Sequence, residues 1–273
     1  MLRGKIQSFG LSDVGKLREH NEDTIGIDND IGLFVLADGM GGYNAGEIAS
    51  GLAVKTIMSL VKEAYEYQNM SLGDKEMNLS RPGIVLRDAI SRANKIIYQT
   101  AKNQPNYEGM GTTVVACLFR DNHVSVAHVG DSRLYILRDQ QFDQVTLDHS
   151  LIQELMDRGF YSEDESLYAA SKNYVTRALG IDSQVDVEIH EYPVNQGDRF
   201  LLCSDGLSDM IDNDVIKTTL SALDRNLEAT AKNLIELSNQ NGGRDNISVI
   251  LTDIIEPFPA KKSLLNRLMQ WIN

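Results

Sequence analysis

The hydrophobic period of this chain changes four times, and that order limits the folds open to it. The runs Ile6–Leu11, Thr24–Asp28 and Leu33–Ala37 are short and alternating or continuously apolar, with Gly, Asp and Asn between them, so they read as three strands. Ile48, Leu52, Ile57, Leu60 and Val61 then fall at helical spacing, as do Leu86, Ile90, Ala93, Ile97 and Ala101 within Ile84–Ala101. The polar, Gly/Pro-punctuated stretch Tyr67–Gly83 between them reads as a loop. Strands are expected again at Thr112–Phe119, His123–Val129, Leu134–Leu137 and Phe142–Thr146. Ser150-Leu151-Ile152-Gln153 has the form of a capping box, with Gln153 reaching back, opening a short helix to Arg158 that Gly159 ends. Phe160–Gly180 is polar and aperiodic, long enough to expect a functional flap. Strands at Val185–Tyr192 and Arg199–Cys203, helices near Asp212–Leu220 and Leu227–Asn239, and a last strand at Ile247–Ile254 complete the order.

Neither helix pair alternates with single strands as a parallel sheet requires. The expectation is therefore an α+β fold, a four-layer α-β-β-α sandwich of two mostly antiparallel sheets, each covered outside by a helix pair. The Pro257-Phe258-Pro259 break closes this domain, residues 1–256, and leaves a tail over 257–273. In that tail Leu264, Leu265, Leu268, Met269 and Ile272 fall at helical spacing beside Lys261, Lys262 and Arg267, a short basic amphipathic helix.

Aspartates stand at the ends of four apolar runs. Phe34–Ala37 leads into Asp38-Gly39, Val124–Val129 into Gly130-Asp131, and Phe200–Ser204 into Asp205-Gly206, while Asp245 precedes Ile247–Leu251. Any one of them is equally well read as the start of a turn. Gathered at one end of a sandwich they would repel each other unless something positive lay between, and hard divalent cations such as Mg²⁺ or Mn²⁺ take oxygen ligands.

Charge and cysteine usage exclude other classes. A formal net charge of -13 opposes binding of the body to nucleic acid or an anionic membrane. An anionic substrate would then need a local patch of metal or arginine. Cys117 and Cys203 each sit inside an apolar run, which reads as two buried, reduced thiols. Met1-Leu2-Arg3-Gly4-Lys5 lacks the apolar stretch of a signal peptide, and no apolar run spans a bilayer, so a cytoplasmic location is expected.

Six segments in order carry a resemblance. Ser12–Asp23 contains Arg18, Asn21, Glu22 and Asp23, and Ala37–Gly42 reads Ala-Asp-Gly-Met-Gly-Gly. Gly109–Thr113, His128–Arg133, Ser204–Gly206 and Gly243–Asn246 follow. Together they resemble the metal-dependent (type 2C, PPM) Ser/Thr protein phosphatases of the bacterial type, over roughly Lys5 to Ile254. The resemblance implies hydrolysis of phosphoserine and phosphothreonine on cytosolic proteins by direct attack of a metal-bridging water, opposing a bacterial Ser/Thr kinase. It gives Asp38 the bridge between two Mn²⁺ or Mg²⁺ ions, and the Gly39 carbonyl a place on one of them. Asp205 and Asp245 complete the other, Glu22 acts through metal water, and Asp131 holds a third, looser ion together with Asp205. Gly39 is expected because a residue without Cβ lets that carbonyl and the water shell approach. The resemblance suggests a monomer. A catalytically silent member would lose metal carboxylates, and Asp38, Asp205 and Asp245 are all present.

Arg18 is the expected phosphate clamp, because its planar fork matches two phosphate oxygens. Asp23 either orients metal waters or opens the strand at Thr24, and Asn246 is expected to support the ligands by hydrogen bonding. His128 alternates with Val124 and Val126 and reads as a packed core residue. His149 reads as local to the Ser150 cap, His20 could face the site, and His123 and His190 carry no pattern, so none of the five is expected to bind metal. Two departures from the family pattern bear on substrate preference. Tyr43 stands where relatives often carry histidine, and its ordinary pKa near ~10 makes a poor proton relay at neutral pH. Ala169-Ala170 stands where a His-Pro pair often precedes a run like Val175–Gly180.

Overall fold

The structure is a computed structural model describing residues 2–42, 45–66, 79–159, 174–222 and 226–260. Tyr43, most of the expected flap including Ala169-Ala170, and the tail helix lie outside the described residues.

One sheet holds β1 (Ile6–Asp13), β7 (Arg133–Arg138), β8 (Gln141–Gln144), β10 (Arg199–Cys203) and β11 (Ile247–Ile254), in the order β1-β11-β10-β7-β8. The other holds β2 (Asp23–Asp28), β3 (Leu33–Met40), β5 (Val114–Arg120), β6 (His123–Val129) and β9 (Glu188–Pro193), in the order β2-β3-β5-β6-β9. A two-residue strand, β4 (Gly111–Thr112), also pairs with β3. Every pairing is antiparallel.

Continuous apolar runs arise because both faces of the central strands are buried. Along β3, Leu33, Val35 and Ala37 face the helical layer while Phe34 and Leu36 face the other sheet. Along β10, Leu201 and Cys203 face outward to helices while Phe200 and Leu202 face the interior. The two-residue period thus feeds two hydrophobic layers at once. Phe119 links the sheets through edge-on contacts with Phe34, Phe200 and Phe258, at ring-centroid distances of 5.7, 5.0 and 6.5 Å. Truncating a buried phenylalanine of this kind costs about 3–5 kcal/mol. Cys117 and Cys203 are buried and unpaired, and burial pushes both thiols well up.

Helices α1 (Ala45–Glu66) and α2 (Arg81–Asn103) cover the second sheet, burying Ala49, Ala53, Ile57, Leu86, Ile90 and Ile97 against it. α2 starts at Ser80, whose hydroxyl accepts the Gly83 N–H, with Pro82 in the first turn. The short helix α3 (Leu151–Asp157) has the expected Ser150 cap, with Oγ accepting the Gln153 N–H. The reciprocal half of the capping box is not formed. Gln153 instead donates forward to Asp157, 2.9 Å away, which is four residues on and so on its own helix face. After β10 come a single-turn helix α4 (Asp205–Ser208), then α5 (Asn213–Ala222) and α6 (Leu227–Gln240), and these cover the first sheet. The expected four-layer sandwich is the observed one.

Candidate active site

Register brings the carboxylates together. Asp23 is paired with Asp38 across β2 and β3, and Val114 with Val129 across β5 and β6, so Asp38, Asp23 and the Gly130-Asp131 turn share one end of their sheet. In the other sheet Cys203 is paired with Val249 and with Arg133, which places Asp205 and Asp245 at one end as well. The two ends coincide, because Ser204 Oγ donates to Asp23 Oδ2 at 2.9 Å across the interface. A cavity of about 570 Å³ opens there between Asp131, Asp205, Asp245, Arg133 and α3.

The electrostatics are those of acids crowded out of water. Asp38 and Asp205 are held well above the usual carboxylate range, first by burial and then by neighbouring charges, Asp23 being the largest for Asp38 and Asp131 for Asp205. Burial pushes Asp23 to about 6, and Asp131 likewise to about 6 with the Asp148 charge adding. Glu22 is raised by burial, which Arg18 opposes. Asp23 Oδ1 and Asp205 Oδ1 are buried and have no hydrogen-bond partner among the described residues. Buried carboxylate oxygens without a donor are costly unless a cation takes that place, so this all-oxygen set fits hard divalent ions.

Packing alone already requires glycine at position 39. A Cβ there would lie 2.1 Å from the Gly46 carbonyl oxygen in α1 and 2.6 Å from that of Glu22. Gly46 is bare for the same contact, since its Cβ would meet the Glu22 carboxyl at 2.7 Å. The glycines let the first turn of α1 close onto the end of β3 and the Glu22 segment.

Arg18 reaches the site and donates from Nη2 to Asp245 Oδ2 at 2.7 Å, an exposed pair. Asn246 grips the loop that carries Arg18. Its Oδ1 accepts the Glu22 N–H at 2.8 Å, and its Nδ2 donates to the Val14 and His20 carbonyls, both at 3.0 Å. His20 therefore contributes backbone to this grip.

Several supporting residues escaped sequence reasoning. Thr113 Oγ1 accepts the Asp38 N–H at 3.3 Å and lies 2.8 Å from Ser132 Oγ, joining the Asp38 strand end to the Asp131 turn. Arg133 donates to both oxygens of Asp148 beside the cavity, at 2.9 and 2.6 Å. Thr113 lay inside the Gly109–Thr113 segment, and Ser132 and Arg133 inside His128–Arg133, which was the available signal. Among the described residues, the tightest grouping of metal-capable donors is instead His128, His149 and Glu188, within 4.8 Å of one another.

Residues 17–242 match the family model described as Protein phosphatase 2C. The chain belongs to that family. It is 37% identical over 246 residues to the serine/threonine phosphatase stp of Listeria monocytogenes serovar 1/2a, covering 89% of this chain and 93% of the relative. In three dimensions it superposes on the Mycobacterium tuberculosis serine/threonine phosphatase PstP/Ppp with a TM-score of 0.81 at 34% identity, covering 92% of this chain and 99% of that one. The PstP catalytic domain in complex with two manganese ions superposes with a TM-score of 0.78 at 33% identity, covering 92% and 99% of the two chains. Protein phosphatase 2C enzymes are metal-dependent phosphoprotein phosphatases. The matched span contains Arg18 to Asp205 but stops short of Asp245 and Asn246, which the β10–β11 register brings to the same site.

Proposed function

We infer that this chain hydrolyses phosphoserine and phosphothreonine in proteins with the help of Mn²⁺ or Mg²⁺. The observation that carries the reading is the pair of buried oxygens on Asp23 and Asp205 that find no hydrogen-bond partner among the described residues, inside a cluster where burial first and mutual repulsion next hold the protons on. In our reading Asp38 and the Gly39 carbonyl, with Asp205 and Asp245, hold two core ions, Glu22 acts through bound water, and Asp131 with Asp205 takes a third. Bound ions of this kind supply Lewis acidity that lowers the pKa of water and neutralises phosphoryl charge.

The chain's own residues do the rest. Arg18 offers a guanidinium to phosphoryl oxygens at the mouth of the site. Asn246 and Thr113 fix the backbones on which Glu22 and Asp38 are mounted, so that ligand positions are set before substrate arrives. Asp23, anchored by Ser204, turns its free oxygen into the cluster.

Residues 1–256 form the catalytic unit in this proposal, strapped by Phe258 in the inter-sheet core, and 257–273 lie outside the chemistry. No helix among the described residues is long and apolar enough to cross a membrane. A cytoplasmic monomer that opposes a Ser/Thr kinase and avoids nucleic acid and membrane suits the acidic body. The deciding experiment is release of phosphate from a phosphothreonine peptide with Mn²⁺, with Mg²⁺ and with excess chelator. Undiminished turnover in chelator would overturn the reading.

A further inference from the structure

Three histidines and a glutamate stand beside the Asp131 turn with no part in the reading above. His149 and His128 stack at 4.6 Å between ring centroids and 25° between planes, and His190 lies 6.2 Å from His128 on a similar plane. Glu188 receives two of the rings, with His149 Nε2 3.1 Å from Oε2 and His190 Nε2 2.8 Å from Oε1. His128 Nε2 lies 2.9 Å from the Leu147 carbonyl, and His128 Nδ1 is buried with no partner among the described residues.

The protons in this group are fixed by what each nitrogen faces. The Gly130 N–H points at His149 Nδ1, 3.1 Å away, so Nδ1 must be bare and the ring proton must sit on Nε2, where Glu188 accepts it. His149 also holds Gly130 through its backbone, its N–H donating to the Gly130 carbonyl at 2.9 Å. Both polar groups of Gly130 are therefore taken by one residue. On its other side Gly130, at φ +110°, packs against Thr113 so closely that a Cβ would lie 2.6 Å from that side chain. Asp131 follows directly, and Ser132 is tied to Thr113.

A metal ion held by His128, His149 and Glu188 conflicts with this arrangement. Coordination at His149 Nε2 would send the ring proton to Nδ1, where it would face the Gly130 N–H donor. Rings stacked nearly parallel also cannot both aim in-plane lone pairs at one ion.

We propose that His149 is a positioning residue for Asp131: held in its Nε2–H form by Glu188, it clamps Gly130 and so sets where the Asp131 carboxylate meets the outer cation. This rests on the reading that Asp131 takes such an ion. The test uses the full chain and three readouts: Mn²⁺ binding by calorimetry, histidine ¹⁵N shifts, and exchange of the Gly130 amide. His149→Phe keeps a stacking ring but removes the acceptor, and His149→Asn places an acceptor oxygen near the position of Nδ1. Loss of the Gly130 hydrogen bond, together with the Glu188 one that orients the ring, is expected to weaken the loosest Mn²⁺ site about tenfold in His149→Phe, with the tighter sites kept. Gly130 amide exchange should accelerate, and His149→Asn should restore much of both. The wild-type spectrum should show a bare His149 Nδ1 before and after Mn²⁺. A protonated His149 Nδ1, or a weak Mn²⁺ site and Gly130 amide unchanged in His149→Phe, would overturn the proposal. Asp131→Ala separates the two readings: if it leaves all Mn²⁺ binding unchanged, the outer-cation assignment fails. Should His149→Phe not fold, Glu188→Leu, which frees the ring to take the other tautomer, is expected to give the same weakening, and normal Mn²⁺ binding in it overturns the clamp.

Discussion

Arg18 Nη2 rests 2.7 Å from Asp245 Oδ2 across 227 positions of chain, so the proposed phosphate clamp is parked on a proposed metal ligand. The pair is exposed, and such pairs contribute about 0–1 kcal/mol, so the guanidinium is readily released. A cation held by Asp245 would compete for the same oxygen, and Arg18 would then be free to meet phosphate. Arg18→Ala is accordingly expected to raise KM for a phosphopeptide about tenfold or more, for loss of a charge-assisted contact of roughly 1.5–3 kcal/mol. Its kcat should fall less, and its Mn²⁺ affinity should not fall at all. Steady-state kinetics with a parallel metal titration check this, and an unchanged KM would show that Arg18 does not touch phosphate.

Asp38→Asn should abolish nearly all turnover and weaken Mn²⁺ binding. It should also stabilise the metal-free protein, because Asp38 is charged only against burial and four neighbouring carboxylates. Opposite movements of metal affinity and metal-free melting temperature are the signature. A fall in both would mean that the aspartate is a structural hydrogen-bonding group.

The same crowding fixes a pH dependence. A carboxyl whose folded pKa is raised binds protons better folded than unfolded, so its contribution to stability is lost as pH rises through the folded value. The buried histidines act in the opposite sense: His128 is lowered to about 4 and His149 is lowered, so their effect ends once the unfolded rings are neutral, near ~6.5. Above about pH 6.5 the shifts that act are those of the carboxylates held well above their usual range, Asp38 and Asp205, by burial first and then by neighbouring charges, and their direction sets the sign from there to pH 8. The metal-free melting temperature should therefore drop across that interval, and saturating Mn²⁺ should flatten the slope. A metal-free protein whose melting temperature climbs from pH 6.5 to 8 would refute the crowded-acid picture.

Asn246 tests whether the Arg18 loop is held from the metal side. Its amide serves Glu22 N–H and the Val14 and His20 carbonyls at once. Asn246→Ala leaves three backbone groups to find water, at about 1–3 kcal/mol for each that stays buried. The expected outcome is a lower melting temperature together with a raised KM, because Arg18 loses its mount. Asn246→Asp should be no better, since it loses both donors and adds charge beside Asp245. Normal KM in a folded Asn246→Ala would place the grip outside catalysis.

The fold was legible because its central strands are buried on both faces and its helices on one, which stamps two different periods on the sequence. Boundaries drifted where side chains replace the ladder. The strand expected to reach Thr146 ends at Gln144, because Thr146 Oγ1 takes the Leu134 N–H in place of a backbone partner. Val185 and Val187 pack on the helix-side core, but pairing with β6 begins only at Glu188. At the site, the aspartates announced themselves by standing at strand ends. The reason for Gly39 and the roles of Thr113, Asn246 and His149 depend on contacts between segments far apart in sequence, which no local pattern encodes. His149 looked local because its nearest sequence feature is the Ser150 cap, while its side chain works on Gly130.

The C-terminal boundary gives the last test. Phe258 is buried among Phe119 and its neighbours between the sheets, and its N–H donates to the Asn122 side chain. Lys5 adds a second tie, donating from Nζ to the Pro257 carbonyl at 2.9 Å. Ending the chain after Pro259 keeps these anchors, so activity on a phosphopeptide and the melting temperature should both stay close to those of the full chain. Ending it after Glu256 removes the phenylalanine and opens the inter-sheet layer at its rim. The closest measured parallel, truncation of a buried phenylalanine, costs about 3–5 kcal/mol, so a clear fall in melting temperature is expected. Thermal melts of the two truncations side by side decide it. Loss of most activity in a folded protein that ends at Pro259 would show instead that residues 260–273 belong to the active domain.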